Sequence, residues 1–320
     1  MMTTTTLQNE FLTFVKDLFP GEFPIPLHAP RFSEKEKVLV FDALDTTYVS
    51  TVGMYVSEFE KKIALYTGAK HAIATNTGTA ALHTALLVCG VVANDEVITQ
   101  SLTFVATCNA IRYCGADPVF VDVEPEHLNI DPEKIRKAIT KETKAVVVTH
   151  LFGHPAQLEN IKEITDQFGI PIIEDCAQAL GSYVNNVPSG LQGKIGVYSF
   201  YATKLITSGG QGGMLVSKDK SLVDEIRDYR QFDCRKDNKE RFNFQMTDLQ
   251  AGIGRVQLKK LPDFLVKRKK IFEKYNSILP MLCNNENSNI HSVYFRAIYK
   301  TDRPLEIIEQ LEKEKIKAIL

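Results

Sequence analysis

The chain has 320 residues, 44% of them hydrophobic, and a formal net charge of −1 at pH 7 from 38 Lys plus Arg against 39 Asp plus Glu. That length can bury one large core with a smaller appendage. Near-neutrality excludes a general pull toward nucleic acid or an anionic membrane, and the Lys267–Lys270 run falls in a helical pattern as a solvated face.

The opening residues have no basic stretch followed by an apolar one, so no secretory signal is expected. Leu7, Phe11, Val15 and Leu18 recur at helical spacing and predict a short amphipathic helix. The longest near-apolar run, Ala80 to Ala93, is broken by His83 and Thr84 and is too short to span a bilayer. A cytoplasmic protein is the expectation. The cysteines (Cys89, Cys108, Cys114, Cys176, Cys234, Cys283) form no Cys-x-x-Cys pair, so buried reduced thiols and no metal site are expected. His150 and His154 flank Gly153 and precede Pro155, which predicts a turn after a strand and not a helical zinc pair.

From about residue 70 to 220 short Val/Ile-rich runs alternate with helical patterns. The runs are His71–Thr75, Glu96–Thr99, Pro118–Val123, Lys144–Thr149, Ile170–Asp175, Ile195–Phe200 and Gly213–Ser217. Near-continuous apolar runs predict strands buried on both faces. Helices are predicted at Thr79–Val88, Phe104–Cys114, Asp131–Ile139 and Leu158–Phe168, with Asp131-Pro132 as a start and Gly115 and Gly169 as stops. The sum is an α/β fold with a mainly parallel seven-stranded sheet and helices on both sides. Beyond residue 220 helical patterns dominate at Lys220–Gln231, Thr247–Leu261 and Pro262–Leu279, then a strand-like run His291–Tyr299 and a helix Pro304–Lys315. This predicts a large domain over residues 1–250 and a small α+β domain over 251–320, entered through a long helix near residues 247–279.

Asn76-Thr-Gly-Thr-Ala-Ala81 follows a strand and opens a helix, so Gly78, Thr79 and the Ala80 amide offer a place for a phosphate at the positive end of the helix. Taken alone it reads as an ordinary capped turn. The glycine-dense Ser208–Gly213 precedes a strand, so it fails the context of a nucleotide loop; it suits backbone passing close to a buried cofactor. Asp175 ends a buried strand, where ligands bind in parallel sheets, and Gln178 follows it by three residues. Ser199 ends the next strand, five residues before Lys204, whose neighbours Phe200, Tyr201, Leu205 and Ile206 are apolar. Desolvation there lowers a lysine pKa and eases imine chemistry. A lysine that can form a Schiff base, with a carboxylate that can keep a ring nitrogen protonated, meets the needs of pyridoxal 5'-phosphate (PLP). Phe104 can stack on a flat ring or serve as a plain core aromatic.

Together these motifs resemble the DegT/DnrJ/EryC1/StrS family of sugar aminotransferases, a branch of the fold-type I PLP enzymes. The resemblance spans residues 25 to about 275. It rests on Ser50-Thr-Val-Gly53 with Phe59-Glu60, Asn76–His83, Asp95–Ile98, Thr103–Thr107, Pro118–Asp122, His150–Gly153, Ile173–Gln178, Ser199–Lys204 and Thr247–Ala251. It implies that Lys204 binds the cofactor and shuttles a proton, that Asp175 pairs with the pyridine nitrogen, and that Gln178 lies at the phenolic oxygen. It further implies that Thr79, Ala80 and Ser199 hold the phosphate and Phe104 stacks on the ring. A segment of the partner subunit, here Phe242-Asn243-Phe-Gln245-Met246, would also reach the phosphate; Gln245 stands where the family usually has Arg. The resemblance thus implies a homodimer with a shared site.

The implied reaction moves nitrogen from L-glutamate to a nucleotide-linked keto-sugar, since Lys204 replaces the His of the family's dehydratases. The Pro24–His28 and Tyr48–Gly53 segments are similar to the subgroup aminating UDP-4-keto-6-deoxy sugars toward legionaminic-type (nonulosonic) acids, although that subgroup has Asn where Thr203 stands. Family members usually extend some tens of residues past Leu320, so a shortened small domain is expected. The alternative is a non-catalytic relative that binds PLP or a sugar nucleotide.

Overall fold

The computed structural model describes residues 4–21, 24–233, 235–282 and 289–320, with side chains from residue 10 onward. Cys234 and Cys283 lie outside the described residues. Three helices open the chain: α1 (Thr4–Leu18), α2 (Glu34–Asp45) and α3 (Met54–Thr67). The alternating region follows as β1 (His71–Thr75), α4 (Gly78–Val88), β2 (Glu96–Gln100), α5 (Val105–Tyr113), β3 (Asp117–Val121), α6 (Pro132–Ala138), β4 (Thr143–Thr149), α7 (Leu158–Asp166) and β5 (Ile172–Asp175). Two short strands, β6 (Tyr183–Val184) and β7 (Val187–Pro188), precede β8 (Ile195–Ser199) and β9 (Gly213–Ser217). Then come α8 (Lys220–Tyr229), α9 (Asp248–Asn276), β10 (Ile290–His291) and α10 (Pro304–Lys313).

The seven long strands form one sheet in the order β1-β9-β8-β5-β4-β2-β3. It is a mixed sheet: β9 runs antiparallel to both β8 and β1, and the remaining pairings are parallel. Successive side chains of a strand point to opposite faces, and here each face meets its own core. Ala145, Val147, Ile173, Ile195, Val197 and Leu215 pack with α4, α5 and α8. Val146, Val148 and Ile172 pack with α6 and α7, while Met214, Val216 and Tyr198 pack with α3 and α9. Double-sided burial explains why the strands read as unbroken apolar runs.

The long helix expected near residues 247–279 is α9, a single helix that runs through Pro262, whereas two other expectations change. An interior proline costs a helix about 3 kcal/mol; Leu258 and Leu261 are buried and Phe264 and Leu265 pack on the same core, which offsets it. The strand expected over His291–Tyr299 is only β10, paired with β6, plus a bridge from Tyr299 to Met281. Tyr294 takes φ 45°, a left-handed backbone that ends extended structure. Of the described cysteines, Cys89 and Cys176 are buried but Cys108 and Cys114 are only half-buried, all four being free thiols. Finally, α1 does pack by its apolar stripe, Val15 with Phe11 and Leu12, against Leu311, Ile316 and Tyr275 near the end of the chain.

No helix among the described residues is long and apolar enough to cross a membrane.

Candidate active site

The parallel strands all end at one edge of the sheet, and register decides which residues meet there. Thr149 of β4 is paired with Asp175 of β5, and Thr75 of β1 and Ser199 of β8 both face Gly213 of β9. The start of α4 therefore lies beside the end of β8. A Cβ placed on Gly78 would lie 2.8 Å from Ser199 Cβ and 3.0 Å from its Oγ. Thr77 caps α4, its Oγ1 accepting from the Ala80 amide at 2.9 Å. The Ala80 amide is thus already engaged, whereas the Gly78 and Thr79 amides, in the first turn, have no partner inside the helix.

Asp175 is buried and oriented from two sides. Its Oδ2 accepts from Thr107 Oγ1 at 2.8 Å and its Oδ1 from the Ala177 amide at 3.0 Å. Thr103 links the hydroxyls of Thr107 and Thr149, at 3.3 and 3.0 Å, in a chain running across the sheet edge. Below it Glu174 is fully buried and accepts from the amides of Gly190, Gln192 and Gly193 and from His150 Nε2 at 2.9 Å. His150 Nδ1 accepts from the Ala156 amide, so the ring proton resides on Nε2. Glu174 and His150 sit with Cys176 in a compact group, but the donors around Glu174 use its lone pairs, and burial with the neighbouring Glu174 and Asp175 charges holds the Cys176 thiol well above its usual pKa. The trio is a structural knot under Asp175.

Gln178 Oε1 accepts from the Phe152 amide at 2.8 Å, so its NH2 group is the end left to donate. Phe152 adopts φ 54°, a strained conformation for a bulky residue, and its carbonyl accepts from the Phe295 amide at 2.9 Å. Phe295 is thereby hung over Lys204. The Lys204 Nζ lies 5.5 Å from the Phe295 ring centroid and 5.6 Å from that of Phe104, held between two aromatic faces. Phe104 precedes α5 and is 63% exposed, so it is no core aromatic. Burial pulls the Lys204 amine below its usual pKa, with Arg296 adding to this and Asp175 opposing it.

Asn243 and Gln245 lie on a segment that covers the start of α4. Asn76 Nδ2 donates to the Asn243 carbonyl and the Asn76 amide to that of Phe244, while Phe242 and Phe244 stack on each other and meet His83 edge-on. The Asn243 side chain is exposed and Gln245 is half-buried. The glycine loop passes close to the protein's own backbone: Gly213 leaves no room for a side chain against Thr75 and Thr77.

The structure brings Gly78 and Ser199 into contact at the start of α4, and Lys204 close to the rings of Phe104 and Phe295. The sequence reading missed Thr107, Phe152, His28, Arg268, Phe295 and Arg296. Thr107 was within reach of it, one helical turn after Thr103 and past the same strand edge. Phe152 and His28 lie inside the His150–Gly153 and Pro24–His28 segments with nothing local to mark their roles, and Arg268, Phe295 and Arg296 lie far along the chain from Lys204.

This arrangement fits a flat phosphorylated pyridine aldehyde. Gly78 lets the start of α4 approach Ser199 more closely than any side chain would allow, and an oriented carboxylate and a desolvated amine lie in the same site.

Comparison with known proteins agrees. Residues 30–320 match the family model described as the DegT/DnrJ/EryC1/StrS aminotransferase family. The chain is 38% identical over 265 residues to a GDP-perosamine synthase of Caulobacter vibrioides, covering 81% of this chain and 71% of that protein. A Streptococcus pneumoniae protein solved in a PLP form superposes with TM-score 0.83 at 28% identity, covering 91% of this chain and 83% of that one. DesI, solved in the presence of its TDP-sugar product, gives TM-score 0.84 at 28% identity, covering 94% and 81%.

Proposed function

This chain belongs to the DegT/DnrJ/EryC1/StrS aminotransferase family and is a PLP-dependent transaminase; on that premise we propose that it moves an amino group from L-glutamate to a nucleotide-linked 4-keto-6-deoxy sugar, for surface polysaccharide or nonulosonic acid synthesis. The supporting relatives include a GDP-perosamine synthase and a spore coat polysaccharide biosynthesis protein of Bacillus subtilis. The observation that carries the reading is the Lys204 amine, desolvated between Phe104 and Phe295 and within electrostatic reach of Asp175.

In this reading Gly78, Thr79 and Ser199 hold the cofactor phosphate, with the Ala80 amide contributing through the cap it shares with Thr77. Asp175, kept in place by Thr107 and Ala177, pairs with the ring nitrogen. Gln178 presents its NH2 group to the phenolic oxygen because Phe152 takes its carbonyl. Phe104 stacks on the ring. When bound, PLP supplies an electron sink for charge that develops on the substrate carbon. Lys204 takes the proton from the donor's α-carbon and delivers one to the sugar carbon that receives nitrogen, a role a lowered amine pKa suits near neutral pH.

We further propose a homodimer. Val38, Phe41 and Leu44 are exposed along one side of α2, and Tyr48, Val52 and Met54 are exposed just beyond it. Apolar exposure on that scale marks an interaction surface. Asn243, exposed beside the start of α4, and Gln245 would then serve the partner's phosphate site. The free thiols suit a reducing cytoplasm.

The test is the visible spectrum of the purified protein with PLP before and after L-glutamate, followed by a panel of keto-sugar nucleotides with mass detection of amino-sugar products. A glutamate-dependent loss of the visible band and an aminated sugar are expected. A spectrum unmoved by glutamate, or no sugar accepted, ends the reading.

A further inference from the structure

One group in the site has no partner and no role in the chemistry above. Arg296 Nη1 is buried without a hydrogen bond. An unpaired guanidinium donor out of water is costly, and an anion is the partner its planar fork matches best. Its position is fixed on both sides. The Arg296 Cζ lies 5.0 Å from the centroid of the Phe295 ring, the same ring that Lys204 faces at 5.5 Å. Arg268 braces this arrangement, donating from Nη1 to the Phe295 carbonyl at 3.2 Å and lying with Nη2 3.4 Å from His28 Nδ1. The His28 ring in turn bonds to the backbone of Thr203, next to Lys204.

The surroundings are cationic. Lys204, Arg268 and Arg296 line a cavity of about 960 Å³ together with Arg31, Lys267 and Arg303, and no Asp or Glu side chain lines it among the described residues. The otherwise apolar wall, including Phe152, Phe264 and Tyr294, strengthens the field of those cations.

We propose that Arg296 recognises the α-carboxylate of the amino donor, with Arg268 and His28 as positioning residues that hold it and Phe295 in place. This rests on the aminotransferase reading and names what fixes its donor. A donor amino acid carries its carboxylate on the same carbon as the nitrogen that must reach the place of Lys204 Nζ. The matching cation must then stand against the same ring and within electrostatic reach of Lys204, as Arg296 does. The diphosphate of a sugar nucleotide is separated from the reacting keto carbon by the sugar ring, so its partners belong further out. A planar guanidinium with a free edge also matches a carboxylate by two parallel hydrogen bonds.

The proposal is tested by calorimetric binding of glutarate, a dicarboxylate that cannot transaminate, to the wild-type protein, Arg296→Met and Arg296→Lys. We expect wild-type binding, a loss of between about 10-fold and 100-fold in Arg296→Met, the factor that charge-assisted hydrogen bonds carry, and partial recovery in Arg296→Lys. The apparent Kd for L-glutamate in the spectral titration should move in parallel, while UDP binding stays unchanged. No glutarate binding by the wild type, equal binding by Arg296→Met, or a loss confined to UDP overturns the proposal; the last would assign Arg296 to the diphosphate. Arg296→Lys serves as the readout if Arg296→Met fails to fold. The aminotransferase reading fails on a different signal, the absence of a PLP band that responds to glutamate, which leaves the glutarate result standing.

Discussion

Gly78 and Ser199, more than a hundred residues apart, face each other so closely that a Cβ on Gly78 would stand 2.8 Å from Ser199 Cβ. Their approach follows from register, because Thr75 and Ser199 both pair with Gly213 across the antiparallel strand β9. Gly78→Ala should therefore push Ser199 and the first turn of α4 apart. Overpacking of this kind costs ~1–3 kcal/mol, so PLP affinity should fall at least several-fold while helix content is retained. Fluorescence titration of the apoprotein with PLP measures it, and wild-type affinity in the variant would refute the assignment of this cleft to the phosphate.

Thr107 is the hydroxyl that fixes Asp175. Thr107→Val keeps the shape and removes the donor to Oδ2. Leaving a buried acceptor unpaired costs about 1–3 kcal/mol, and turnover should drop by roughly the corresponding 5- to 150-fold. Thr107→Ser should retain most activity. Equal rates for the Val and Ser variants would rule out the orienting role.

Arg296 bears on the chemistry of Lys204 as well as on the donor. Its charge adds to burial in holding the Lys204 amine below its usual pKa, against the pull of Asp175. Removing the guanidinium in Arg296→Met takes away a repulsion, so the amine pKa should rise. The pH at which apoprotein captures PLP half-maximally should move upward relative to wild type; a shift downward would contradict the electrostatics described.

Two histidines set an acid limit to stability. Burial, together with Arg296, Arg268 and Lys204, lowers His28 to about 3, and burial with the neighbouring His127 and His150 lowers His154 to about 3. Their unfolded value is near 6.5, so between 6.5 and 3 the unfolded chain binds protons that the folded one does not. Stability should then fall as pH drops below 6.5. Urea midpoints at pH 7.5 and 5.5 should show the decline, with a shallower one in His28→Asn. A flat wild-type profile across that window would count against it.

Asp248, at the start of α9, is 2% exposed and accepts from the amides of Tyr55 and Val56 at 3.2 and 2.9 Å, capping α3 from a distant part of the chain. Asp248→Ala should cost about 1–2 kcal/mol, read as a lower urea midpoint with an unchanged slope.

Much of the large domain was legible because its signals are local. Val/Ile runs such as Lys144–Thr149, with a polar turn and a helical pattern after it, mark strands buried on both faces, and the bounds of the seven expected strands differ from expectation by at most two residues. The Asp175-to-Lys204 interval was enough to suggest the cofactor. Beyond α9 the reading weakened: His291–Tyr299 has strand composition, yet Val293 and Phe295 bond to the carbonyls of Gly153 and Phe152 instead of to a sheet.

By itself, then, the sequence determined the alternation of strands and helices and the residue types that can hold PLP, since periodicity and turn chemistry act over a few residues. Tertiary structure alone decided that Gly78 packs against Ser199, that Phe152 engages the Gln178 carbonyl, and that Phe295, held by Arg268 and flanked by Arg296, lies over Lys204. These depend on strand register and on hydrogen bonds between distant segments, which exist only once the two faces of the sheet are packed.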